Sequence, residues 1–317
     1  MIDNIIFVSV SNIYLMSLLK KIPDKGDPSD VLQVFPKYNL QLLCCRHWWL
    51  QKWEFMELSF PYWRIYHNDQ PGAVIIYNGK EYELTPNKII MIAPNTSYAT
   101  RLYDHSIPKT GYSLKGGRVN SAIEEKELDR GKYILHLFIH FNIGIPYDNV
   151  SPGVFIFNLT EHFQKKIQSI KHYLSKEITY FSFYSNLTIQ SLINDLLLEL
   201  PESKWNLTTT DYRIYTTLSY IDNNINSDLS NTVLAKKANL ATNAFIKLFT
   251  SETGVSPQKY LKNKRIDKAC ILLHHSNFTI DEVAVKTGFA DRYHFSRIFK
   301  SLTGIAPARY KKEFGIK

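Results

Sequence analysis

The sequence predicts a multidomain protein with a mainly-β barrel, two following helices, and an all-α domain of two helix-turn-helix units joined by a long helix. Three observations predict this fold class. Short apolar stretches separated by turn residues fill the chain from about residue 35 to residue 158. Two stretches with apolar residues at helical spacing follow. Beyond residue 210, one pattern of about twenty residues occurs twice, fifty residues apart.

These patterns divide the 317 residues into five predicted segments. They are an N-terminal extension (1–34), a barrel (35–160), a pair of helices (161–200), a linker (201–210) and the all-α domain (211–317). The apolar run 5–19 is interrupted by Ser and Asn and is too short to span a membrane. It predicts neither a signal peptide nor a membrane anchor, and Met1 and Met16 are both candidate first residues.

Seven strands are predicted in the barrel from runs rich in β-branched and aromatic residues. They span residues 63–67, 73–77, 80–84, 89–93, 98–102, 133–141 and 154–159. Between two of them, Asn78-Gly79 favours a two-residue hairpin turn. The polar stretch 108–130, which contains glycine and many charges, predicts a loop over the barrel.

Amphipathic spacing predicts two helices after the strands, at 159–177 and 184–200. The second helix carries a leucine-rich stripe that includes Leu192 and Leu196. Such a stripe packs in a core or against a second copy of the chain, and we expect the pair of helices to serve in dimerisation.

The repeated pattern is NAFIKLFTSETGVSPQKYLK at 243–262 and YHFSRIFKSLTGIAPARYKK at 293–312. Upstream of the second copy, Thr279 and Glu282 have the spacing of a capping box, which begins a short helix. Gly288 falls where a helix ends in the left-handed conformation. Each copy is therefore predicted to be a helix, a tight turn and a second helix.

The second helix of each copy has apolar residues at the 0, 3, 4 spacing of a buried face. They are Phe245, Leu248 and Phe249, and then Phe295, Ile298 and Phe299. The outward faces hold Asn243, Ile246, Lys247 and Thr250, and then Arg292, Tyr293, Ser296, Arg297 and Lys300. Arg and Lys suit guanine edges, Asn suits adenine, and an aliphatic group suits the thymine methyl. An ordinary solvated face is the alternative, and two copies without an acidic residue at 243–251 and 292–301 disfavour it.

Positive charge is concentrated in the same part of the chain. From residue 211 onward there are 17 Lys and Arg against 9 Asp and Glu, whereas the first 210 residues hold 21 and 20. A net charge of +8 in this domain fits displacement of counterions from nucleic-acid phosphates. The candidate phosphate contacts are Lys236, Lys237, Lys262, Lys264, Lys300 and Arg309.

Residues 211–312 resemble the DNA-binding domain of the AraC family of bacterial transcription regulators. The motifs are R-I-x-x-A-x-x-L-L at 265–273, G-F-x-D at 288–291 and F-S-R-x-F-K at 295–300. The resemblance implies that double-stranded DNA is a partner and that the second helix of each unit enters the major groove. The positions that match the base-facing ones are Asn243, Ile246, Lys247, Arg292, Tyr293, Ser296 and Arg297. One departure is Ala241, which stands where the family commonly has a capping Ser or Asp, so we expect the first recognition helix to start at Thr242 or to be less firmly held. Its outward face, with Ile246 and one Lys, also has fewer hydrogen-bonding groups, and we expect the second helix-turn-helix unit to carry more of the polar readout.

The strand order resembles the cupin-type (double-stranded β-helix) sensor domain common in the same family, and residues 78–102 resemble its core hairpin. The resemblance implies a transcription regulator with a small-molecule effector in the barrel, a homodimer, and RNA polymerase as a further candidate partner. The residues predicted to bind effector are Trp48, Arg64, Tyr66, Tyr98, His136 and His140. Their flat rings and hydrogen-bonding groups favour a sugar or related metabolite, although the aromatic residues also fit an ordinary core.

A cupin metalloenzyme with an accessory DNA-binding domain is the alternative, because His136 and His140 share one face of a strand. The H-x-H pair and glutamate of such enzymes are absent, and Tyr98 stands where a third histidine would fall. We therefore predict no metal, no cofactor and no catalysis. Cys44, Cys45 and Cys270 have no metal-ligand spacing and form no even disulfide set, which favours the reducing cytoplasm.

Overall fold

The computed structural model describes residues 38–109, 112–119, 133–144, 147–148, 150–176, 180–205 and 211–314. The chain forms two compact units, an N-terminal unit built on residues 40–143 and 148–206 and a C-terminal unit built on residues 207–317. The predicted extension (1–34), with both candidate first residues, and threonines 208–210 lie outside the described residues.

In the described part of the N-terminal unit, nine strands form one antiparallel sheet. They are β1 (Gln41–Leu58), β2 (Trp63–Asn68), β3 (Ala73–Tyr77), β4 (Lys80–Leu84), β5 (Lys88–Ile92), β6 (Tyr98–Leu102), β7 (Tyr112–Arg118), β8 (Ile134–Asn142) and β9 (Val154–Asn158). The order across the sheet is β4-β3-β6-β1-β8-β2-β5-β9, and β7 pairs with β1 beside this path.

The sheet curls into a half-barrel whose concave face holds the core. Ile75 of β3 and Leu84 of β4 share one cluster of buried residues with Ile90 of β5 and Tyr66 of β2, although these strands stand far apart in the sheet order. Curling brings such strands together and buries their apolar faces against each other. The predicted mainly-β barrel is therefore confirmed.

All seven predicted strands are present, with ends that differ by at most one residue. The predicted hairpin turn is also confirmed, because β3 pairs with β4 and the backbone φ angles of Asn78 and Gly79 are 49° and 73°.

Two strands were not predicted. The central strand β1 contains register shifts, including one between Leu50 and Lys52. After each shift the core-facing residues change from odd to even positions or the reverse, so the strand shows no continuous alternation of apolar and polar residues. Strand β7 lies within 108–130, so the predicted loop is wrong for Tyr112–Arg118. Glycine is uncommon in strands, so Gly116 argued against a strand in the sequence. The structure explains the glycine, because a Cβ there would lie 2.3 Å from the Trp49 carbonyl oxygen.

Two helices follow the strands, α1 (Glu161–Ser175) and α2 (Phe183–Leu198). The Thr160 side chain caps α1 and the Ser182 side chain caps α2, each by accepting a hydrogen bond from a backbone N–H of the first turn. Residues 201–205, predicted as linker, contain the 3-10 turn Glu202–Lys204 and pair with Val150 through Trp205.

The C-terminal unit is all helical in its described part. Its elements are α3 (Tyr212–Asn223), α4 (Asn231–Lys237), α5 (Thr242–Thr253), α6 (Pro257–His275), α7 (Ile280–Lys286), α8 (Arg292–Thr303) and α9 (Pro307–Phe314). Helices α4 and α5 form the first helix-turn-helix unit, α7 and α8 form the second, and α6 joins them. No helix in the described ranges has both the length and the hydropathy needed to cross a bilayer.

Candidate nucleic-acid interface and barrel interior

The two recognition helices, α5 and α8, begin differently. The carboxylate of Asp291 accepts a hydrogen bond of 2.7 Å from the backbone N–H of His294 and so caps α8. Helix α5 begins after Ala241, which has no side-chain acceptor. The first turn of α5 therefore lacks one stabilising hydrogen bond that α8 has.

Core packing fixes which face of each recognition helix is outward. Phe245 and Phe249 of α5 are fully buried, and Phe295 and Phe299 occupy the same positions of α8. The outward side chains that the structure leaves exposed are Asn243, Lys247, Thr250, Arg292, Tyr293, Arg297 and Lys300.

Four side chains of the recognition helices are neither fully outward nor fully buried, contrary to the prediction. Ile246 is half-buried and packs against the core of the first helix-turn-helix unit together with Leu248, because it lies at the edge of the apolar face. Leu248 and Ile298, predicted to be buried, are half-buried as well, and so is Ser296.

The two arginines of α8 have different surroundings. Nη1 of Arg292 lies 3.1 Å from a carboxylate oxygen of Asp281 in α7, in an ion pair that is exposed on both sides. Arg297 makes no hydrogen bond or ion pair with another described residue. Its five N–H donors are therefore available to a nucleic acid without loss of a protein contact.

Arg265 of α6 connects the two helix-turn-helix units. Its guanidinium donates to the carbonyl oxygens of Ile225 and Ser227 beside the first unit, and it lies 6.0 Å from the ring centroid of Phe289 in the second. Gly288 makes this approach available, with a φ of 78° and no side chain. Helix α6 thereby holds the two recognition helices in one arrangement.

A cleft of about 620 Å³ lies between α6 and the start of α8. Its lining includes Lys259, Lys262, Arg265 and His294, and none of the described residues around it is a carboxylate. The cleft is therefore electropositive and suits a phosphate group.

In the N-terminal unit, three neighbouring strands present one row of side chains after another on the concave face. Cys44 of β1 is paired with His140 of β8, which is paired with Arg64 of β2. The next rows are Arg46, Phe138 and Tyr66, and then Trp48, His136 and Asn68. Because paired residues of an antiparallel sheet share a face, these nine side chains line one surface.

Arg64 is buried among hydroxyl groups and rings. It donates a hydrogen bond to the Tyr98 hydroxyl, which lies 2.9 Å from the Tyr66 hydroxyl. Its guanidinium carbon stands 3.7 Å from the ring centroid of Phe60. Burial opposes the charge of Arg64 and the tyrosines favour it, and the net effect is a raised pKa that keeps the guanidinium charged.

His136 lies at the base of this surface and is neutral. Burial, with smaller contributions from His47, His67 and Lys171, lowers its pKa to about 3. Its Nδ1 lies 2.6 Å from Oδ1 of Asn68, so the neutral ring donates its Nδ1 proton to that oxygen.

On the opposite, convex face, helix α1 is tied to the sheet by Lys171. Its ammonium group forms an ion pair with Asp69 and lies 3.3 Å from Nδ1 of His67. Nε2 of His67 donates to the Pro86 carbonyl oxygen at 3.2 Å. Burial and the neighbouring ammonium group lower the pKa of His67 to about 4, so it is neutral at pH 7.

Comparison with known proteins finds relatives of the C-terminal domain. The helix-turn-helix domain family matches residues 234–313. LumQ of Photobacterium leiognathi, named as a probable transcriptional regulator, is 32% identical over 127 residues, which are 39% of this chain and 48% of LumQ. The HTH-type transcriptional activator RhaS of Escherichia coli is 30% identical over 105 residues, or 33% of this chain and 38% of RhaS. Residues 234–313 belong to this helix-turn-helix domain family, and the C-terminal domain is similar to those of AraC-family transcription regulators.

The chain matches less than half the length of these two AraC-family relatives. Among solved structures, ToxT of Vibrio cholerae is 15% identical, with 87% of this chain and 97% of ToxT covered and a TM-score of 0.47.

All six residues predicted to bind effector lie at the concave face. Arg64, Tyr66 and Tyr98 form one hydrogen-bonded group. Trp48, His136 and His140 belong to the same rows. Trp63 of β2 points to the opposite face and stacks on Phe141 at a centroid distance of 6.0 Å.

The two histidines do not form a shared metal site. Four residues along a strand separate their Cα atoms by about 13 Å. The Phe138 ring lies between them, with centroid distances of 5.7 Å to His136 and 5.3 Å to His140. A zinc ion needs nitrogen ligands at about 2.0–2.1 Å, so one ion cannot bind both imidazoles in this arrangement.

Sequence reasoning missed two polar residues of the concave face, Arg46 and Asn68. Arg46 was missed together with strand β1. Asn68 continues the alternation of Arg64 and Tyr66 by one more step, so the period-two pattern of β2 was the signal for it.

Proposed function

We propose that this chain is a sequence-specific DNA-binding transcription regulator, whose half-barrel binds a small molecule that controls DNA binding. One observation carries the proposal. Two helix-turn-helix units present exposed recognition faces without acidic side chains, in a domain with a net charge of +8.

In this proposal, α5 and α8 enter successive major grooves. Asn243 and Lys247 contact bases from α5, with Ile246 placing its aliphatic edge near a thymine methyl. From α8, Arg297 is the principal guanine reader, because no protein contact must break before it binds. Arg292 exchanges its ion pair with Asp281 for a contact to DNA. Tyr293, Ser296 and Lys300 complete that face.

Helix α6 sets the spacing between the two grooves. Its 19 residues span about 28 Å at the helical rise. Adjacent major grooves on one face of B-DNA are about 34 Å apart. One chain then reads a non-palindromic site, and the electropositive cleft beside α8 receives the backbone between the grooves.

For the sensing half, we propose that the effector occupies the concave face with Trp48, Arg64, Tyr66, Tyr98, His136 and His140. The sequence favours a sugar or related metabolite, and the aromatic rings of this face support a ligand with flat apolar surfaces. Binding shifts the population of arrangements in which a homodimer engages its half-sites. RNA polymerase as a partner and the cytoplasm as location remain part of the proposal.

Selection of binding sites from random duplex DNA with the purified full chain tests the proposal. We expect a site with two short conserved elements about ten base pairs apart. Arg297→Ala should weaken binding to that site by about 1–3 kcal/mol in fluorescence anisotropy and relax sequence preference at one position. Arg213→Ala, which removes an ion pair between exposed Arg213 of α3 and the preceding Asp211, is the matched control. Failure to enrich any sequence would contradict sequence-specific binding, and an unchanged affinity in Arg297→Ala would contradict the role of α8.

A further inference from the structure

The concave face of the half-barrel carries two arginines whose charge no described carboxylate neutralises. Arg64 and Arg46 lie on adjacent rows of the three central strands. Neither forms an ion pair with a carboxylate among the described residues.

Because Arg64 is buried, the lack of a carboxylate partner among the described residues destabilises its charge. The side chain is 2% exposed, and its neighbours are the phenols of Tyr66 and Tyr98 and the ring of Phe60. Rings and hydroxyls offset part of the desolvation of a guanidinium, but a buried charge is ordinarily paired with an opposite charge. The arrangement is that of a cation prepared for an anion.

The fields of the two arginines overlap on this face. Burial raises the pKa of the Cys44 thiol to about 12, while the charges of Arg46 and Arg64 both act to lower it. An anion bound near Cys44 therefore interacts favourably with both guanidinium groups.

The same face provides a place for an apolar group. Trp48 and Phe138 are half-buried, and their rings meet edge to face at a centroid distance of 6.4 Å. Phe138 lies on the row next to that of Arg64, and Trp48 lies one row further along the same face. A ligand can thus place its charged end inward and its apolar end against these rings.

We propose that the effector is a small organic acid, whose carboxylate pairs with Arg64 and Arg46 and whose apolar part packs against Trp48 and Phe138. This inference rests on the proposed sensing function and narrows its ligand class from sugars and related metabolites to organic acids. A guanidinium and a carboxylate match in planar, bidentate geometry, and the hydroxyls of Tyr66 and Tyr98 supply further donors.

Matched acid and neutral compounds test the ligand class on the purified full chain. The probes are glucuronate with glucose, benzoate with benzamide and hexanoate with hexanamide, at constant ionic strength. We expect at least one acid to raise the Tm of the N-terminal unit by about 2–4 °C at saturating concentration, while its neutral partner does not.

Two variants assign that shift to the arginine. Arg64→Met should abolish the response to the acid, and without ligand its Tm should equal or exceed that of the parent chain, because an uncompensated buried charge is removed. Arg101→Met, which changes an ion pair with Glu81 in the same unit, should keep the response.

Three results would overturn the inference. They are equal shifts with an acid and its neutral partner, no acid-specific shift with any pair, and a strong loss of stability in Arg64→Met without ligand, which would make Arg64 a structural cation. A shift with neutral glucose alone would leave the sensing proposal in place while removing the anionic ligand. Failure of the full chain to select any DNA site would instead contradict the DNA-binding proposal and would leave the acid response unaffected.

Discussion

Gly288 occupies a backbone conformation and a space that a side chain cannot share. Its φ is 78°, and a Cβ would lie 2.7 Å from Nη2 of Arg265 and 2.8 Å from the Ile225 carbonyl oxygen. We expect Gly288→Ala to destabilise the C-terminal unit by more than the left-handed backbone strain of about 1–2 kcal/mol.

Gly304 provides the matched control, because its φ is 80° and a Cβ there would meet no other described part of the chain within 4 Å. Gly304→Ala should show the backbone strain alone. Thermal unfolding of both variants measures the difference, and equal losses would show that the contact with Arg265 relaxes without cost.

His67 makes the N-terminal unit sensitive to acid. Its ring is neutral in the fold, with Nδ1 beside the ammonium group of Lys171, and its pKa is lowered from 6.5 to about 4. Between pH 6.5 and 4 the unfolded chain therefore binds a proton that the folded chain excludes, so stability falls as the pH falls through this window.

We expect the Tm of the N-terminal unit to drop between about pH 7 and pH 5, and His67→Gln to lessen the drop. His136, with a pKa of about 3, contributes in the same direction and leaves a residual dependence in the variant. A Tm in His67→Gln that falls as steeply as in the parent chain would refute the assignment.

At the scale of single elements, the start of α5 offers a stabilising substitution. Ala241 supplies no acceptor, whereas Asp291 caps the equivalent helix α8. Ala241→Ser should raise the stability of the C-terminal unit by about 0.5–2 kcal/mol, and Asp291→Ala should lower it by a similar amount. Urea unfolding measures both, and an unchanged midpoint for Ala241→Ser would mean that the local backbone does not present the hydroxyl to the first turn.

Helix α2 carries an apolar face that its own unit leaves exposed. Phe183 and Tyr184 are 71% and 76% exposed, and Leu187 lies one turn further along the same face. If this face supports the proposed homodimer, Phe183→Glu with Leu187→Glu should shift the chain toward monomer in sedimentation velocity. Met56→Glu, at an exposed apolar residue near the end of β1, should leave the monomer–dimer distribution unchanged. An unaltered distribution in the double variant would show that the dimer contact lies elsewhere.

The elements differ in how much of them the sequence predicts. The capping box of Thr279 and Glu282 and the turn at Asn78-Gly79 depend on residues within four positions of each other, and both are confirmed. Strand β1 pairs with β8, which lies far along the chain, and its register shifts break the alternation that would announce it. Short-range sequence patterns therefore predicted the cap and the turn, whereas they did not predict the central strand β1.

At the scale of the whole molecule, charge separates the chain into a nearly neutral part and a basic one. Phosphate contacts release counterions, so each contact steepens the dependence of binding on salt. Lys259→Ala with Lys262→Ala, in the cleft between α6 and α8, should reduce the slope of log K against log [salt] by about 2. Lys165→Ala in α1 should leave the slope unchanged, and a full slope in the double variant would show that the cleft does not meet the DNA backbone.

The sequence by itself determined the repeated helix-turn-helix unit, the buried phenylalanines and most of the outward faces of α5 and α8. These follow from helical periodicity and capping, which act over a few residues. The tertiary structure alone decided that Arg46 joins Arg64 on one concave face, because strand pairing and register select neighbours that are distant in the chain. It also decided that Lys171 reaches His67 across 104 residues, a contact that no spacing in the sequence encodes.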